Sequence, residues 1–319
     1  MVVDISFIIP VFNSSKTLER CFDSVYKNKT DRNYEIVVVD DFSSDNSLEV
    51  LNNLKEKAPN NCHVEIIHLD ENKGVQSTRF VGLKSSKGRY VYFLDSDDEI
   101  VDTFIDDVVE KMSKDDLDIL LINTTVVCED KKYPLIKEES FEHIEKYGPY
   151  LESLLFGDFG FICAHVFNRI AFEHVDLDAL PHLAFTEDLN LYIEIAANEA
   201  LKCGCYNKEL YIYYLDSGWH VNKMNEPKSN DSLHVIKKRY GIIKSKYPEY
   251  VDDFKKGNLN TVLRLIHSVK KTRNIDRKDK KRILKKIYSE ECINSVVRIK
   301  FRQFLKLSMK DKIRFVLYR

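Results

Sequence analysis

The first half of the chain alternates between two patterns of apolar residues. Short, continuous apolar runs are typical of strands that are covered on both faces of a sheet. Apolar residues three and four positions apart are typical of helices with one buried face. The runs predict strands at residues 5–11, 35–39, 64–69 and 90–94. Helices are predicted between them, beginning after Ser14 or Ser15, after Ser44, and near Val75.

Strands that alternate with helices at this spacing indicate a mostly parallel sheet with right-handed crossovers. The pattern farther along predicts strands at residues 118–127 and 206–215, with helices around residues 150–156 and at residues 187–198. After Asn230 the pattern is helical almost throughout. The sequence therefore predicts an α/β region that is followed by a C-terminal helical region.

Composition and charge support this division. The chain of 319 residues has a net charge of −2, which hides a strong asymmetry. Residues 1–232 hold 23 Lys and Arg against 43 Asp and Glu, a net charge of −20, whereas residues 233–319 hold 26 against 8, a net charge of +18. Regions of opposite charge are expected to do different jobs. We predict one domain at residues 1–222 and a basic, mainly helical region at residues 223–319.

Several classes of protein are excluded by composition. A hydrophobic fraction of 44% with only 10 Gly and 7 Pro is unlike collagen or a disordered chain. The seven cysteines are scattered and form no C-x-x-C pair, which fits a reducing cytoplasm. No apolar run approaches the roughly 20 residues that span a bilayer, so we expect neither a signal peptide nor a spanning helix.

Ligands of open α/β sheets bind beyond the carboxyl ends of the strands. Four polar segments occupy such positions, at residues 10–13, 40–45, 72–79 and 95–98. In the last of them, alternation along the strand places Asp95 and Asp97 on the same side of the backbone. Two converging carboxylates favour a hard divalent ion, Mg²⁺ or Mn²⁺, which fills its other positions with water and phosphate oxygens. The alternative is a solvated acidic turn.

The other segments also have two interpretations. A carboxylate after the second strand, at Asp40 or Asp41, can accept the imide N–H of a pyrimidine, but residues 43–45 can equally serve as a helix cap. Lys73 and Arg79 offer basic groups for a phosphate or a base near the same edge. On a helix such side chains are more often simply solvated.

In this order and spacing the four segments resemble the GT-A glycosyltransferases of family 2, which are inverting bacterial enzymes. A later Glu187-Asp188 pair resembles the acidic motif of that family, and the resemblance covers roughly the first 215 residues. The matching segments are Ile8-Ile9-Pro10-Val11-Phe12-Asn13, Val38-Val39-Asp40-Asp41-Phe42-Ser43-Ser44-Asp45, Asn72-Lys73-Gly74 with Arg79 and Gly82-Leu83, and Phe93-Leu94-Asp95-Ser96-Asp97-Asp98. The resemblance implies the GT-A fold, a Rossmann-like mixed, mostly parallel sheet flanked by helices.

The resemblance also implies roles for individual residues. Asp188, next to Glu187, becomes the general base, Asp97 becomes a ligand of Mn²⁺ or Mg²⁺, and Asp95 is placed at the ribose. Independently of the resemblance, His220 is a candidate second ligand of the metal ion, and Trp219 is a candidate on the acceptor side. Residues expected to bind the UDP-sugar donor are Pro10, Val11, Asn13, Asp40, Asp41, Lys73, Gly74, Arg79, Asp95 and Ser96. Trp219 and His220 are alternatively a hydrophobic plug and a surface imidazole.

The position of Asp188 near the start of a predicted helix also bears on its role as a base. Thr186 can cap the helix that follows, which places Glu187 and Asp188 in its first turn. The helix dipole there favours an ionised carboxylate, so a low pKa is expected for Asp188. The alternative is that both acids are plain partners of the dipole. The implied reaction is a single displacement that inverts the anomeric carbon and yields a β-linked product from an α-linked donor.

Three residues depart from the family pattern or from a functional interpretation. Phe80 stands where the family usually has Asn, which puts a supporting contact near the donor in doubt. Leu215 stands where a basic residue commonly ends a strand, which puts a phosphate contact in doubt. His165 is expected to be a buried, hydrogen-bonded histidine rather than a ligand.

The basic C-terminal region has two interpretations that the sequence leaves equally open. Its apolar residues, including Ile283, Leu284 and Ile287, can lie in a membrane interface while the cations meet anionic head groups. This predicts a lipid-linked or cell-surface glycan acceptor, and a cytoplasmic protein that is peripheral at the inner face of the membrane. The other interpretation is a solvated bundle that docks on the acidic half. Nucleic acid is not expected, since no recognition motif accompanies the charge.

Two further functions remain as alternatives. A sugar-nucleotide pyrophosphorylase also uses an α/β nucleotide-binding domain, but it needs a Gly-rich loop after the first strand, and residues 11–15 contain no Gly. The other alternative is a degenerate GT-A protein that serves as a scaffold or partner subunit without activity.

Overall fold

The computed structural model describes residues 2–136, 138–157, 160–198, 200–215, 225–271 and 275–293. The chain divides into two compact units. The first unit comprises Met1–Tyr150, Phe159–His182 and Glu187–Ser217, and the second unit comprises Leu151–Asp158, Leu183–Thr186 and Gly218–Arg319. The assignment of separate functions to residues 1–222 and 223–319 stays a prediction.

Half of the sheet in the first unit is parallel. Its strands lie in the order β3-β2-β1-β4, and all three pairings between them are parallel. The elements are β1 (Ile5–Val11), α1 (Leu18–Tyr26), β2 (Tyr34–Asp40), α2 (Ser47–Glu56), β3 (Cys62–His68), α3 (Gly74–Ser85) and β4 (Tyr90–Phe93). Each of the four predicted strands is present, with ends that differ from the prediction by two residues at most.

The remaining strands make the sheet mixed. The order continues as β8-β6-β9-β5, with β8 antiparallel to both β4 and β6, and β6 parallel to β9. The elements are β5 (Glu99–Ile100), α4 (Phe104–Lys114), β6 (Ile119–Cys128), β7 (Lys131–Pro134), α5 (Glu138–Leu155), β8 (His165–Asn168), α6 (Glu187–Ala196) and β9 (Cys203–Tyr214). The predicted α/β class with a mixed sheet is confirmed.

Helix α3 packs closely against β1. All seven residues of β1 and of β2 are buried, as their continuous apolar runs predict. A Cβ atom added at Gly82 would lie 2.5 Å from the Ile8 side chain, so only glycine allows the helix to approach the strand so closely. The close contact at Gly82 therefore fixes the distance between α3 and β1.

The first two helices begin later than the sequence predicts. Helix α1 begins at Leu18 rather than just after Ser14 or Ser15. Its N-cap residue, Thr17, makes no side-chain hydrogen bond to the helix N-terminus. Helix α2 begins at Ser47, whose N–H donates to Asp45 Oδ1 over 2.9 Å. The loops after β1 and β2 are therefore longer than expected, and they supply much of the site described below.

The second unit is helical in the part that the structure describes. Its helices are α7 (Glu226–Lys246), α8 (Val251–Gly257), α9 (Leu259–Lys271) and α10 (Arg277–Ser289). Arg239 of α7 is 2% exposed, and it donates to Leu154 O and to Asn258 Oδ1, each over 2.9 Å. Val262 and Val269 of α9 are buried. Among the described residues, no helix has the length and apolar character needed to span a membrane.

Candidate active site

The loops that follow β1, β2 and β4 meet at one edge of the sheet in the first unit. The strand register pairs Pro10 with Val39 and Val11 with Asp40, so β1 and β2 end level with each other. β4 lies on the other side of β1 and is followed by Asp95. Pro10 and Val11 are buried in β1. The predicted edge is therefore formed, and its carboxylates lie on adjacent loops.

Asn13 ties the first two of these loops together. Its Oδ1 accepts the N–H groups of Ser44 (2.8 Å) and Asp45 (3.3 Å), and its own N–H donates to Ser43 Oγ over 2.9 Å. Asn13 has a φ of +52°, a left-handed conformation that Asn adopts more readily than most residues. The side chain thus supports the loop, and direct contact with a donor stays a prediction.

Asp41 holds the beginning of α3. Its carboxylate accepts the N–H of Lys73 (2.7 Å) and the N–H of Gly74 (2.8 Å), and the residue is 3% exposed. Gly74 has a φ of +79°, which disfavours any other residue there. The Lys73 side chain is exposed and lies 3.6 Å from Glu71. Asp41 therefore joins the loop after β2 to the N-terminus of α3.

Asp40 is fully buried beside β3. Its Oδ2 lies 2.7 Å from Nδ1 of His68 and accepts the N–H of Ser43 over 3.3 Å. Asp45 interacts with the N-terminus of α2, as the helix-cap interpretation predicts, because it accepts the Ser47 N–H. Asp41 interacts in the same way with the N-terminus of α3, where it accepts the Gly74 N–H. The predicted contact of Asp40 or Asp41 with uracil stays a prediction.

Arg79 gathers three carboxylates from two distant parts of the chain. The residue is 4% exposed, and Nη2 donates to Asp95 Oδ1 over 2.8 Å. Nη1 donates to Glu187 Oε1 over 3.2 Å and makes a short bond to Asp188 Oδ1. The sequence placed Arg79 near a base or phosphate, but it did not reveal these partners. Asp95 and the predicted base are thus brought together through one guanidinium.

The electrostatics around Asp188 differ from the local prediction. Burial raises the pKa of Asp188, Arg79 lowers it, and the negative charges of Glu187 and Asp95 raise it; together they bring this pKa to about 8. The expected low pKa was therefore wrong, because the helix dipole is outweighed by desolvation and by two neighbouring acids. One guanidinium cannot balance three carboxylates, so a proton is retained near neutral pH.

The three acidic residues of the loop after β4 lie in different environments. Asp95 faces Arg79, Asp97 is exposed, and Asp98 is 1% exposed. Asp98 accepts the Tyr211 hydroxyl (2.5 Å) and the Tyr214 N–H (2.8 Å). Burial raises the pKa of Asp98 to about 8, and the charges of Asp95 and Asp97 add to the shift.

Ser96 and Arg20 complete this loop. Ser96 is 8% exposed, and its hydroxyl lies 2.8 Å from that of Ser14 in the loop after β1. Arg20 of α1 donates to the carbonyl of Asp97, lies 3.2 Å from Glu99, and stacks 3.8 Å from the centre of the Tyr214 ring. Sequence reasoning missed Arg20, because a basic residue on an amphipathic helix carries no signal that separates it from a solvated one.

The donor chemistry of Asp97 fits the expected Mn²⁺ or Mg²⁺. Among the described residues, no group of three or more His, Cys, Asp or Glu side chains forms a metal cage. A diphosphate-bound ion needs only one or two protein carboxylates, since water and phosphate oxygens fill the other positions. Asp97 is exposed, and its charge together with that of Asp95 disfavours ionisation of Asp98. His220 and Trp219 lie outside the described residues.

The residues that depart from the family pattern have structural roles. Phe80 is 9% exposed and packs in a core cluster with Ile8 and Phe93. The Leu215 N–H donates to Val127 O over 2.8 Å. His165 is fully buried, its Nδ1 lies 2.9 Å from Phe161 O, and burial lowers its pKa to about 4. His165 is thus buried and hydrogen-bonded at Nδ1, as expected, whereas its Nε2 has no described partner.

A family model described as glycosyl transferase family 2 matches residues 6–174, more than half of the chain. The chain belongs to this family. The matched residues include every loop at the carboxyl edge of the parallel strands. They end before Glu187 and Asp188, so the match does not extend to the predicted base.

Curated relatives match part of this chain. It is 29% identical to the glycosyltransferase GlyG of Streptococcus pneumoniae over 119 residues, which are 37% of this chain and 38% of GlyG. It is 24% identical to the uncharacterised glycosyltransferase EpsJ of Bacillus subtilis over 217 residues, 67% of this chain and 61% of EpsJ. A match of 42% identity over 98 residues is found with a poly(ribitol-phosphate) beta-glucosyltransferase of Bacillus spizizenii, covering 30% of this chain and 15% of that protein. The chain thus spans between 15% and 61% of the length of these relatives, less than two thirds of each.

Two solved structures share the fold. TarS 1–349 of S. aureus, in complex with UDP-GlcNAc, has a TM-score of 0.61 and 17% identity, with 94% of this chain and 92% of TarS 1–349 covered. The mannosyltransferase PcManGT of Pyrobaculum calidifontis, in complex with GDP-Man and Mn²⁺, has a TM-score of 0.58 and 12% identity, with 97% and 89% covered. These neighbours and the family model confirm the GT-A fold class.

Proposed function

We propose that the protein is an inverting, metal-dependent glycosyltransferase that moves a sugar from a UDP-sugar donor to a hydroxyl group of a glycan acceptor. One observation carries the proposal: Asp95, Glu187 and Asp188 meet on Arg79 at the carboxyl edge of the parallel strands. This is the edge at which open α/β sheets bind ligands. Membership of glycosyltransferase family 2 supports the same assignment.

The donor is proposed to bind across the loops after β1, β2 and β4. Pro10, Val11, Asn13, Asp40, Asp41, Lys73, Gly74, Arg79, Asp95 and Ser96 are its proposed contacts, either directly or through the loops that they hold. The UDP-GlcNAc bound to TarS 1–349 and the GDP-Man with Mn²⁺ bound to PcManGT support a nucleotide-sugar donor with a divalent cation. Asp97 would hold that cation, which neutralises charge on the leaving diphosphate.

Asp188 is the proposed general base. The acceptor hydroxyl oxygen attacks the anomeric carbon as the bond to the diphosphate oxygen breaks on the opposite face, and Asp188 takes the hydroxyl proton. A pKa of about 8 makes Asp188 a stronger base than an ordinary carboxylate, although a smaller fraction is ionised at neutral pH. Arg79 positions Asp188 through its ion pair.

Turnover of nucleotide sugars tests the function. The purified chain is incubated with Mn²⁺ and a panel of UDP-sugars and GDP-sugars, and release of nucleoside diphosphate is measured with and without glycan acceptors. We expect turnover of a UDP-sugar, and a fall of about 10²–10⁴-fold in kcat in Asp188→Asn. Asp178→Asn is the matched control, since the Asp178 side chain is 81% exposed and pairs only with Lys84 among the contacts described.

Two results would contradict the proposal. Unchanged turnover in Asp188→Asn would remove the general base. Absence of turnover with every donor and cation would favour a scaffold without activity.

An acceptor at the inner face of the cell membrane, either a lipid-linked oligosaccharide or a cell-surface polysaccharide, is part of the same proposal. The described residues restrict how residues 233–319 meet a bilayer. Ile283 and Ile287 of α10 are 3% and 1% exposed, so they are buried within the second unit rather than available for insertion. Any attraction of this part of the chain to a membrane is therefore proposed to be electrostatic.

A further inference from the structure

Helix α10 is strongly basic, with Lys or Arg at seven of its thirteen positions. One side of the helix satisfies its charges inside the second unit. Arg282 lies 2.5 Å from Glu226, and Lys286 donates to Asn230 Oδ1 over 2.8 Å. The cations on this side therefore stabilise the packing of α10.

The other side of α10 borders an open, shallow pocket with a volume of about 480 Å³. Positions four residues apart on a helix lie on one face, and this face carries Arg277, Lys281 and Lys285. Helix α9 contributes from across the pocket. The pocket is lined by Lys270, Arg277, Lys280, Lys281, Leu284 and Lys285, five cations and one apolar side chain.

Carboxylates do not balance this pocket within the part of the chain that the structure describes. None of its five cations has a described Asp or Glu within ion-pair distance, and Lys280 Nζ donates instead to Lys270 O over 3.1 Å. The two acids at the start of α10 are used elsewhere. Asp276 accepts the Asp279 N–H over 2.7 Å, and Asp279 lies 3.0 Å from Arg282.

Such an arrangement favours binding of an anion between the cations. Like charges four residues apart on a helix repel each other, so the face that contains Arg277, Lys281 and Lys285 is unfavourable on its own. Lysine ammonium groups and arginine guanidinium groups are the side chains that bind phosphate oxygens. The half-buried Leu284 offers an apolar contact for the carbon skeleton next to a phosphate.

We propose that the α9–α10 pocket binds a phosphate or diphosphate group of an anionic ligand. The apolar residues Ile283 and Ile287 point into the unit and are not available for insertion into a bilayer, whereas the clustered cations suit a discrete phosphate group. The pocket belongs to the second unit, whereas every described residue proposed for the donor belongs to the first. It is therefore a site in addition to the proposed donor site.

Binding of inorganic pyrophosphate tests the proposal. Isothermal titration calorimetry on the full chain, in metal-free buffer at low ionic strength, compares the wild type with Lys281→Glu and Lys278→Glu. Both variants change the net charge equally, and both residues are exposed on α10, but Lys278 does not line the pocket. We expect pyrophosphate affinity to fall about tenfold or more in Lys281→Glu, the scale of one lost charge-assisted hydrogen bond, and to stay within about twofold in Lys278→Glu.

Several outcomes would overturn the proposal: no binding to the wild type, no loss in Lys281→Glu, or an equal loss in both variants. If a charge reversal unfolds the chain, Lys281→Ala and Lys278→Ala give the same comparison. Vesicles of phosphatidylglycerol and phosphatidylcholine form a second arm, and Lys281-dependent sedimentation with them, without pyrophosphate binding, would indicate a membrane surface and contradict the pocket. Release of UDP from UDP-sugars is measured in parallel, so a failure here is distinguishable from a failure of the proposed function.

Discussion

Removing the guanidinium of Arg79 is expected to destabilise the first unit strongly. In Arg79→Met the apolar volume is largely retained, but three carboxylates lose their common partner. Their side chains are only 30%, 15% and 24% exposed at Asp95, Glu187 and Asp188, so water does not fully replace the lost pairing. The perturbation is therefore mainly electrostatic.

The magnitude follows from breaking a buried ion-pair network. Loss of one partner of a buried pair costs about 3–5 kcal/mol, because the remaining charges stay desolvated. For a unit of this size about 1 kcal/mol corresponds to about 2–4 °C in Tm, so we expect Tm to fall by about 6–20 °C at pH 8. Arg79→Lys should recover part of this loss, since it restores the charge without the two-sided fork.

The loss should also depend on pH in a definite direction. A carboxyl whose folded pKa lies above its unfolded value binds more protons in the folded state, so stability falls as pH rises between the two values. Asp188 has a pKa of about 8 against an ordinary value of 3.8, and removal of Arg79 raises it further. The destabilisation of Arg79→Met should therefore be smaller at pH 6, where more of the carboxyls are protonated, than at pH 8.5.

Differential scanning fluorimetry across this pH range measures the effect. Lys84→Met is the matched control on the same helix, because the Lys84 and Asp178 side chains are 52% and 81% exposed and an exposed pair contributes at most about 1 kcal/mol. Equal shifts in Tm for Arg79→Met and Lys84→Met, or a loss of Tm that grows toward low pH, would show that the Arg79 ion pairs do not stabilise the first unit in this way.

Two further predictions concern the supports of the site. Gly74→Ala forces a side chain into a φ of +79°, so urea unfolding should show a loss of about 1–3 kcal/mol, whereas Gly241→Ala, with open space around its Cβ, should show no loss. Asp98→Asn removes a buried carboxyl with a pKa of about 8. Because that raised pKa makes the folded state less stable as pH rises toward 8, the free energy of unfolding should depend less on pH in the variant than in the wild type between pH 6 and 8.5. An unchanged slope would contradict the assignment.

The sequence was sufficient for the parallel half of the sheet and for β6 and β9, but not for β5, β7 and β8. β1 and β2 are continuous apolar runs that the pattern identifies directly. β8 (His165–Asn168) has only four residues, and it lies between β4 and β6, its partners from distant parts of the chain. A strand so short carries no periodicity of its own, because its pairing is decided by tertiary packing.

The site shows the same division between local and non-local information. The acidic loops follow their strands, so their common edge was predictable from the order of elements. The partners of Arg79 at Glu187 and Asp188 lie more than one hundred residues away, and no local pattern indicates them. The helix-dipole argument for Asp188 failed for this reason, since the deciding charges and the burial come from other elements.

For the amphipathic helices of the basic region, the sequence does not decide what the apolar face contacts. An apolar stripe with flanking Lys and Arg is compatible with a membrane interface and with packing inside a bundle. The burial of Ile283 and Ile287 decides this for α10 in favour of packing. The cations of α10 then divide between internal pairs, as at Arg282, and the pocket that contains Lys281.

The carboxyl edge of the parallel strands is proposed to bind a UDP-sugar through a divalent cation held by Asp97. The most direct test is the Tm of the wild type and of Asp97→Asn with UDP alone, with Mn²⁺ alone, and with both. Ligand at about 100 times its Kd stabilises by about 2.7 kcal/mol, so UDP with Mn²⁺ should raise the wild-type Tm by about 5–10 °C. We expect this rise in Tm only when both ligands are present, and we expect Asp97→Asn to lose it. An equal rise in Tm in the variant, or no rise in the wild type, would contradict the proposed role of Asp97.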